Sequence, residues 1–201
     1  MNPAQIRAAQ LLADHGQRPW TLPELAERAR SDTPSLEDLR ERLVGLGLVS
    51  AGASVQVRDV RGMRIWLVRE DLEPLRVWCR VEDRDELPST LEGVDLVLTG
   101  AAGAWKRGYP VLTTIPLVLV RAAVPDVELV EFARLLGDVG PGQHNNVMLL
   151  GDEGRVAREE AEWRRSAWVA PMSRVASDLR YDVRGESAQR LLLDLWSDDV
   201  V

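Results

Sequence analysis

A single cysteine, Cys79, occurs in 201 residues. That excludes an internal disulfide and leaves too few thiols for a zinc site, which ordinarily gathers four clustered ligands. Lysine is equally rare: Lys106 is the only one among 25 basic residues, and a bias in genomic base composition accounts for the arginine excess without any binding chemistry. No apolar run approaches the roughly 18 residues that would span a bilayer. The opening MNPAQIRAAQLLADHG lacks a basic segment followed by an apolar one, so the expected location is the cytosol. Histidine is scarce too. His15 falls at an expected helix end, His144 falls in an expected loop, and neither stands beside a Gly-x-Ser-x-Gly turn, which the sequence does not contain. No phosphate-cradling loop occurs either, since the glycines over 137–142 come without the lysine and hydroxyl such a loop needs. The expectation is a protein that is not an enzyme and carries no metal or cofactor.

The hydrophobic fraction of 45% and charged fraction of 28% are those of a folded globular chain, long enough for one core or two small ones. Charge divides the sequence. Residues 1–70 hold ten arginines against nine carboxylates, net +1, while residues 71–201 carry net -8. Only the first part is a plausible partner for phosphates, whose neutralisation dominates nucleic-acid affinity.

Three helices are expected in that first part. Ala4–Asp14 has Ile6, Ala9, Leu11, Leu12 and Ala13 at loose helical spacing, ending at His15-Gly16. Thr21 and Glu24 form a capping box before Leu22, Leu25, Ala26 and Ala29. After the turn-rich Ser31–Ser35, Ser35 with Asp38 opens a third helix carrying Leu36, Leu39, Leu43 and Leu46. A hairpin is expected next: Leu48-Val49 and Val55/Val57, a tip at Asp59–Gly62, and a return over Met63–Val68, where Ile65 and Leu67 alternate with Arg64 and Trp66. Helix, helix, helix, hairpin over residues 4–69 resembles the winged-helix family, which implies a third helix in the major groove and a wing on the flanking backbone.

Beyond residue 70, Val94–Leu98, Pro110–Thr114, Leu117–Val120 and Asn146–Leu150 read as strands. Ala101–Trp105, Val127–Leu136, the charged Glu153–Arg165 and the amphipathic Ser187–Trp196, with Ala188, Leu191, Leu192 and Leu195 inward, read as helices. The expected fold is mixed α/β: a winged helix-turn-helix over 1–70, then an α/β domain over 71–201 with a small mixed sheet flanked by helices.

Three stretches of the second part, Leu98-Thr99-Gly100-Ala101-Ala102, Leu117–Arg121 and Val169-Ala170-Pro171-Met172-Ser173-Arg174-Val175-Ala176-Ser177-Asp178-Leu179, resemble the AbiEi family of type IV toxin–antitoxin antitoxins. Arg184-Gly185-Glu186-Ser187-Ala188 after them is similar to that family's last helix start. The resemblance implies a DNA-binding repressor of its own promoter, and a nucleotidyltransferase-like toxin as partner. The weak net charge of the first part predicts that binding needs two modules, so a homodimer is expected.

For double-stranded DNA the expected contacts are Arg58, Arg61 and Arg64 on the wing, and Thr33, Ser35, Arg40 and Arg42 on the third helix. Glu37, Asp38 and Glu41 share that helix and repel phosphates, which leaves a second reading open: a winged helix that binds protein and not DNA. A third reading is a magnesium-dependent nucleic-acid-processing enzyme using Asp95 and Lys106. It is the least favoured, because Asp95 sits in an apolar strand without a second carboxylate at suitable spacing. The seven tryptophans are scattered without interleaved basic residues, so packing or interface roles are expected for most, Trp66 and Trp196 among them.

Overall fold

Asn2, Thr21 and Asp32 decide where the first three helices begin. In the computed structural model, which describes residues 1–70, 74–84, 87–110, 117–140, 145–152, 156–182 and 185–198, helix α1 (Pro3–His15) opens on a reciprocal cap. The Asn2 side chain accepts the Gln5 N–H at 2.8 Å, and the Gln5 side chain accepts the Asn2 N–H at 3.1 Å. Helix α2 (Leu22–Ala29) follows Thr21, whose Oγ1 accepts the Glu24 N–H at 3.3 Å, and it ends at Arg30 in the left-handed region with φ 52°. Helix α3 (Thr33–Gly45) starts earlier than the Ser35 opening expected from sequence. Its cap is Asp32, which accepts the Ser35 N–H at 2.7 Å, with Pro34 in the first turn where a missing N–H costs nothing.

A minimal ribbon follows the helices. Trp20 and Val55 exchange both backbone hydrogen bonds, at 2.9 and 2.7 Å, and Val49 pairs with Val57, so the chain before α2 and the two passes after α3 lie side by side. The expected return strand over Met63–Val68 is not formed. That segment belongs to helix α4 (Val60–Glu70), in which Met63, Arg64, Leu67 and Val68 are buried. Their i, i+1, i+4, i+5 spacing is helical, and Asp59 supplies the start by accepting the Gly62 N–H at 2.8 Å. Leu11, Leu12, Leu36, Leu43, Met63, Leu67 and Trp20 are fully buried. Burial of each such side chain contributes about 1.5–3 kcal/mol.

The chain divides into two compact units, Met1–Leu72 with Leu193–Val201, and Glu73–Leu192. The last helix, α9 (Gly185–Asp198), therefore contributes its final residues to the first unit, a membership its amphipathic pattern does not reveal. Within α9, Ala188, Leu192, Leu193 and Trp196 are buried and Leu191, expected inward, is exposed.

Among the described residues the second unit is built on a mixed sheet of eight strands, so the chain is mixed α/β. The strands are β1 (Arg76–Arg80), β2 (Thr90–Leu91), β3 (Val94–Thr99), β4 (Val118–Ala122), β5 (Asp138–Val139), β6 (Val147–Gly151), β7 (Glu162–Arg164) and β8 (Ala167–Val169). Their order is β5-β1-β6-β4-β3-β8-β7, with β2 paired to β3. The β4–β6 and β3–β8 pairs are parallel and the others antiparallel. All five residues of β4 and of β6 are buried, as expected of central strands covered on both faces. One face presents Val77, Cys79, Val120, Ala122, Val147 and Leu149 to Leu129 and Phe132 of helix α6 (Leu129–Leu136). The other presents Leu119, Met148 and Leu150.

Helix α5 (Gly100–Lys106) leaves β3 through Gly100 at φ +56°, where a Cβ would lie 3.1 Å from the Leu119 side chain, so both conformation and space call for glycine. Residues 153–155 of the single long helix expected over Glu153–Arg165 lie outside the described residues, and the described remainder does not form it. In its place are α7 (Val156–Glu159) and the β7–β8 hairpin, turning at Arg165 and Ser166 with φ 47° and 67°. Helix α8 (Met172–Asp178) completes the unit. Of the strand expected over Pro110–Thr114, residues 111–114 lie outside the described residues, as do His144 and Arg184. No helix among the described residues is long and apolar enough to cross a membrane.

Cys79 is buried in β1, and that burial pushes its thiol up to about 11. The native protein is expected to resist a thiolate-specific reagent at pH 8, with labelling appearing only as denaturant unfolds the chain. Fast stoichiometric labelling of the native protein contradicts this placement.

Candidate functional site

The seven residues expected to meet DNA are all in the first unit, and their surroundings differ sharply. Arg64, expected on a wing, is inside: it is 2% exposed, its Nε donates to the Ala13 carbonyl at 3.2 Å and its Nη1 to the Trp196 carbonyl at 2.7 Å. Its guanidinium also stacks 3.7 Å from the Trp196 ring centroid. This side chain is removed from any surface patch. Arg61, also on α4 and not on a hairpin, pairs with Asp194 at 2.6 Å. Arg58 precedes α4 and is exposed, with no ion pair among the described residues.

On α3, Arg40 donates to the carbonyls of Ala51 and Gly52 at 3.2 and 2.5 Å, tying the helix to the loop of the ribbon. Arg42 pairs with Glu70 at 2.7 Å and lies 5.5 Å from the Trp66 ring. Thr33 is half-buried in the first turn, and Ser35 accepts the Asn2 side-chain amide at 3.1 Å. The outward face of this helix is mostly acidic: Glu37, Asp38 and Glu41 are exposed beside Arg42. Magnitudes separate these arginines. Pairs as exposed as Arg42–Glu70 and Arg61–Asp194 are worth about 0–1 kcal/mol each, little enough for a phosphate to displace the carboxylate. The buried Arg64 is fixed.

The second unit has a buried polar centre on the Leu119/Met148 face of its sheet. Arg121 on β4 donates from Nε and Nη2 to the two carboxylate oxygens of Asp178 at 2.7 and 2.6 Å, and from Nη1 to the Gly151 carbonyl at 2.9 Å. Asp152 lies 3.7 Å from the same guanidinium, and the Thr99 hydroxyl donates to Asp178 at 2.7 Å. Thr99, Arg121 and Asp178 come one from each of the three stretches that carry the antitoxin resemblance. Each stretch is legible in the sequence, but nothing in their spacing shows that the three meet. Burial raises the Asp178 carboxyl's proton affinity, but the charges of Arg121 and Arg174 and the hydrogen bonds from Arg121 and Thr99 outweigh it, leaving the group below its ordinary 3.8.

Asp95 and Lys106 do not form the metal site of the least favoured reading. Asp95 pairs with Arg158 at 2.7 Å and accepts the Thr90 hydroxyl at 3.0 Å, while Lys106 Nζ donates to the Arg165 carbonyl at 2.8 Å. Among the described residues no group of three or more His, Cys, Asp or Glu side chains is placed to hold a metal. His15 packs against Trp20 with ring centroids 5.6 Å apart, at the α1 terminus where the sequence placed it. Comparison with protein-family models, with curated proteins and with solved structures finds no match to this chain.

Two of the buried charges set measurable stabilities. Arg64→Ala takes the Arg64 donors away from the Ala13 and Trp196 carbonyls, and chemical denaturation should show a loss of about 2–4 kcal/mol, against under about 0.5 kcal/mol for Arg58→Ala. Equal losses contradict the assignment of Arg64 to the interior. For Asp178 the folded carboxyl holds its proton less tightly than the unfolded one, so its contribution is complete above about pH 4 and fades as pH falls through the depressed folded value. Asp178→Asn should cost about 3–5 kcal/mol at pH 7 and flatten the acid limb of the stability curve. An unchanged acid limb contradicts it.

Proposed function

We propose that the chain is a winged-helix regulator that binds double-stranded DNA, as a homodimer, through a small cationic surface of its first unit. The observation that carries this reading is the order of elements: α1, the Trp20 pass, α2, α3, then the Val49 and Val57 passes, with Trp20 bridged to Val55. In the winged-helix architecture that order sets the third helix out as the groove-reading element and the loop after it as the wing. Arg58 is the accessible cation next to this ribbon, and Arg42 and Arg61 become available when their weak exposed pairs open. Few phosphates are neutralised per module, so two modules are needed for useful affinity.

The second unit acts, in this reading, as an antitoxin-type partner domain. Its support is the resemblance carried by the Thr99, Arg121 and Asp178 stretches, together with the net charge of -8 over 71–201. A nucleotidyltransferase-like toxin is the partner that resemblance implies, and cytosolic action goes with it.

The exposed Glu37, Asp38 and Glu41 favour a second reading, in which α3 docks on a basic protein and DNA is never touched. One variant separates the two with opposite signs. Neutralising all three (E37Q/D38N/E41Q) removes phosphate repulsion and should tighten binding to duplex DNA by about tenfold at low salt, while R58A/R61A weakens it by a similar factor. Gel-shift titration on the DNA upstream of the coding region measures both. No complex at low salt with either the native chain or the neutralised variant defeats the DNA reading.

A further inference from the structure

Leu98 sits on β3, an interior strand flanked by β4 and β8, yet its side chain is only half-buried. The cause is a cavity of about 180 Å³ above it, floored by Leu96, Leu98, Val118 and Val120 and walled by Ala102 of α5. All of these belong to the second unit.

The mouth differs in chemistry from the floor. Lys106 and Arg165 both line it, and neither is in an ion pair among the described residues. Each is held over Trp105, with Lys106 Nζ 5.7 Å and the Arg165 guanidinium 5.2 Å from that ring. Lys106 also donates one of its three N–H bonds to the Arg165 carbonyl at 2.8 Å, which fixes the β7–β8 turn against α5 and leaves two donors uncommitted. Both residues of that turn, Arg165 and Ser166, are non-glycines in the left-handed region, so its geometry is tightly specified. Arg84 contributes a third guanidinium to the lining, and no carboxylate occurs among the described lining residues.

We infer that this cavity is a binding site for an aromatic monocarboxylate. A dry apolar space of about 150 Å³ accepts one benzene ring, so the volume suits a single ring with a short acidic arm and excludes larger amphiphiles such as long-chain fatty acids. The ring lies on the leucine and valine floor. The carboxylate reaches the mouth, where it accepts hydrogen bonds from Lys106 and Arg165 and neutralises charges that no described carboxylate matches. Apolar floor and charged rim together discriminate against neutral aromatics, which gain the first contact and lose the second.

The test is calorimetric titration of the full chain with phenylacetate and with phenylacetamide, its neutral isostere. The expected result is saturable one-to-one binding of the acid, with the amide at least about tenfold weaker. K106M/R165Q should reduce acid binding to the level of the amide, and Ala102→Leu, which fills the cavity, should abolish both. Equal affinity for acid and amide, no saturation by either, or undiminished binding in Ala102→Leu overturns the inference. The acid-to-amide comparison uses the native chain, so it decides the matter whether or not the variants fold, and it reads no DNA.

Discussion

A guanidinium taken out of water keeps its charge, and its N–H donors must find acceptors inside the protein. Each of the two compact units buries more than one such group, and in each of them one of these ties distant elements together. In the first, Arg64 of α4 reaches the Ala13 carbonyl at the end of α1 and the Trp196 carbonyl near the end of α9. In the second, Arg121 of β4 meets Asp178 of α8 and the Gly151 carbonyl at the end of β6. Each of these two arginines thus joins elements far apart in sequence. Removing either takes its donors away from those acceptors, a heavier loss than trimming one apolar contact.

The same commitment governs what is left for binding. A sequence with ten arginines in its first 70 residues suggests a cationic face, but several of those groups are engaged elsewhere. Arg64 is internal, Arg40 holds the ribbon loop, and Arg42 and Arg61 face carboxylates. What remains outward on α3 is largely acidic. The proposed DNA reading therefore rests on a few contacts, with acidic side chains limiting indiscriminate attraction to phosphate. In the second unit the balance is reversed locally. Lys106 and Arg165 stand at the mouth of an apolar cavity, without an ion pair among the described residues, within a segment of strongly negative net charge.

Where structure is decided locally, the residues announced it. The cap at Thr21, the turn over Ser31–Ser35 and the short apolar runs of β3, β4 and β6 are readable because propensity and immediate neighbours agree, although the residue that caps α3 is Asp32 and not Ser35. Met63–Val68 misled because its apolar residues satisfy both periods: Ile65 and Leu67 alternate as in a strand, while Met63 and Leu67 stand one helical turn apart. The Asp59 cap was the available signal for the helix. Glu153–Arg165 misled because its alternating charges suggested pairs along one helix, whereas Arg158 reaches across to Asp95 and stacks 3.7 Å from Trp168. Its turn also lacks the glycine or asparagine that usually marks such a hairpin. The arginines expected on a wing could not be placed from spacing, since the partners of Arg61 and Arg64 on α9 lie more than 130 positions away. The Thr99–Arg121–Asp178 centre escaped for the same reason: its members were visible separately, and only the fold brings them together.

The salt dependence of duplex binding addresses the central claim most directly, because it counts the cations that meet phosphate. With most arginines of the first unit engaged internally, a dimer should bind at low salt and lose affinity with a log–log slope of about -2 to -5. A slope near about -10, which requires a broad cationic face, would contradict the account, as would the absence of any complex at the lowest salt concentration.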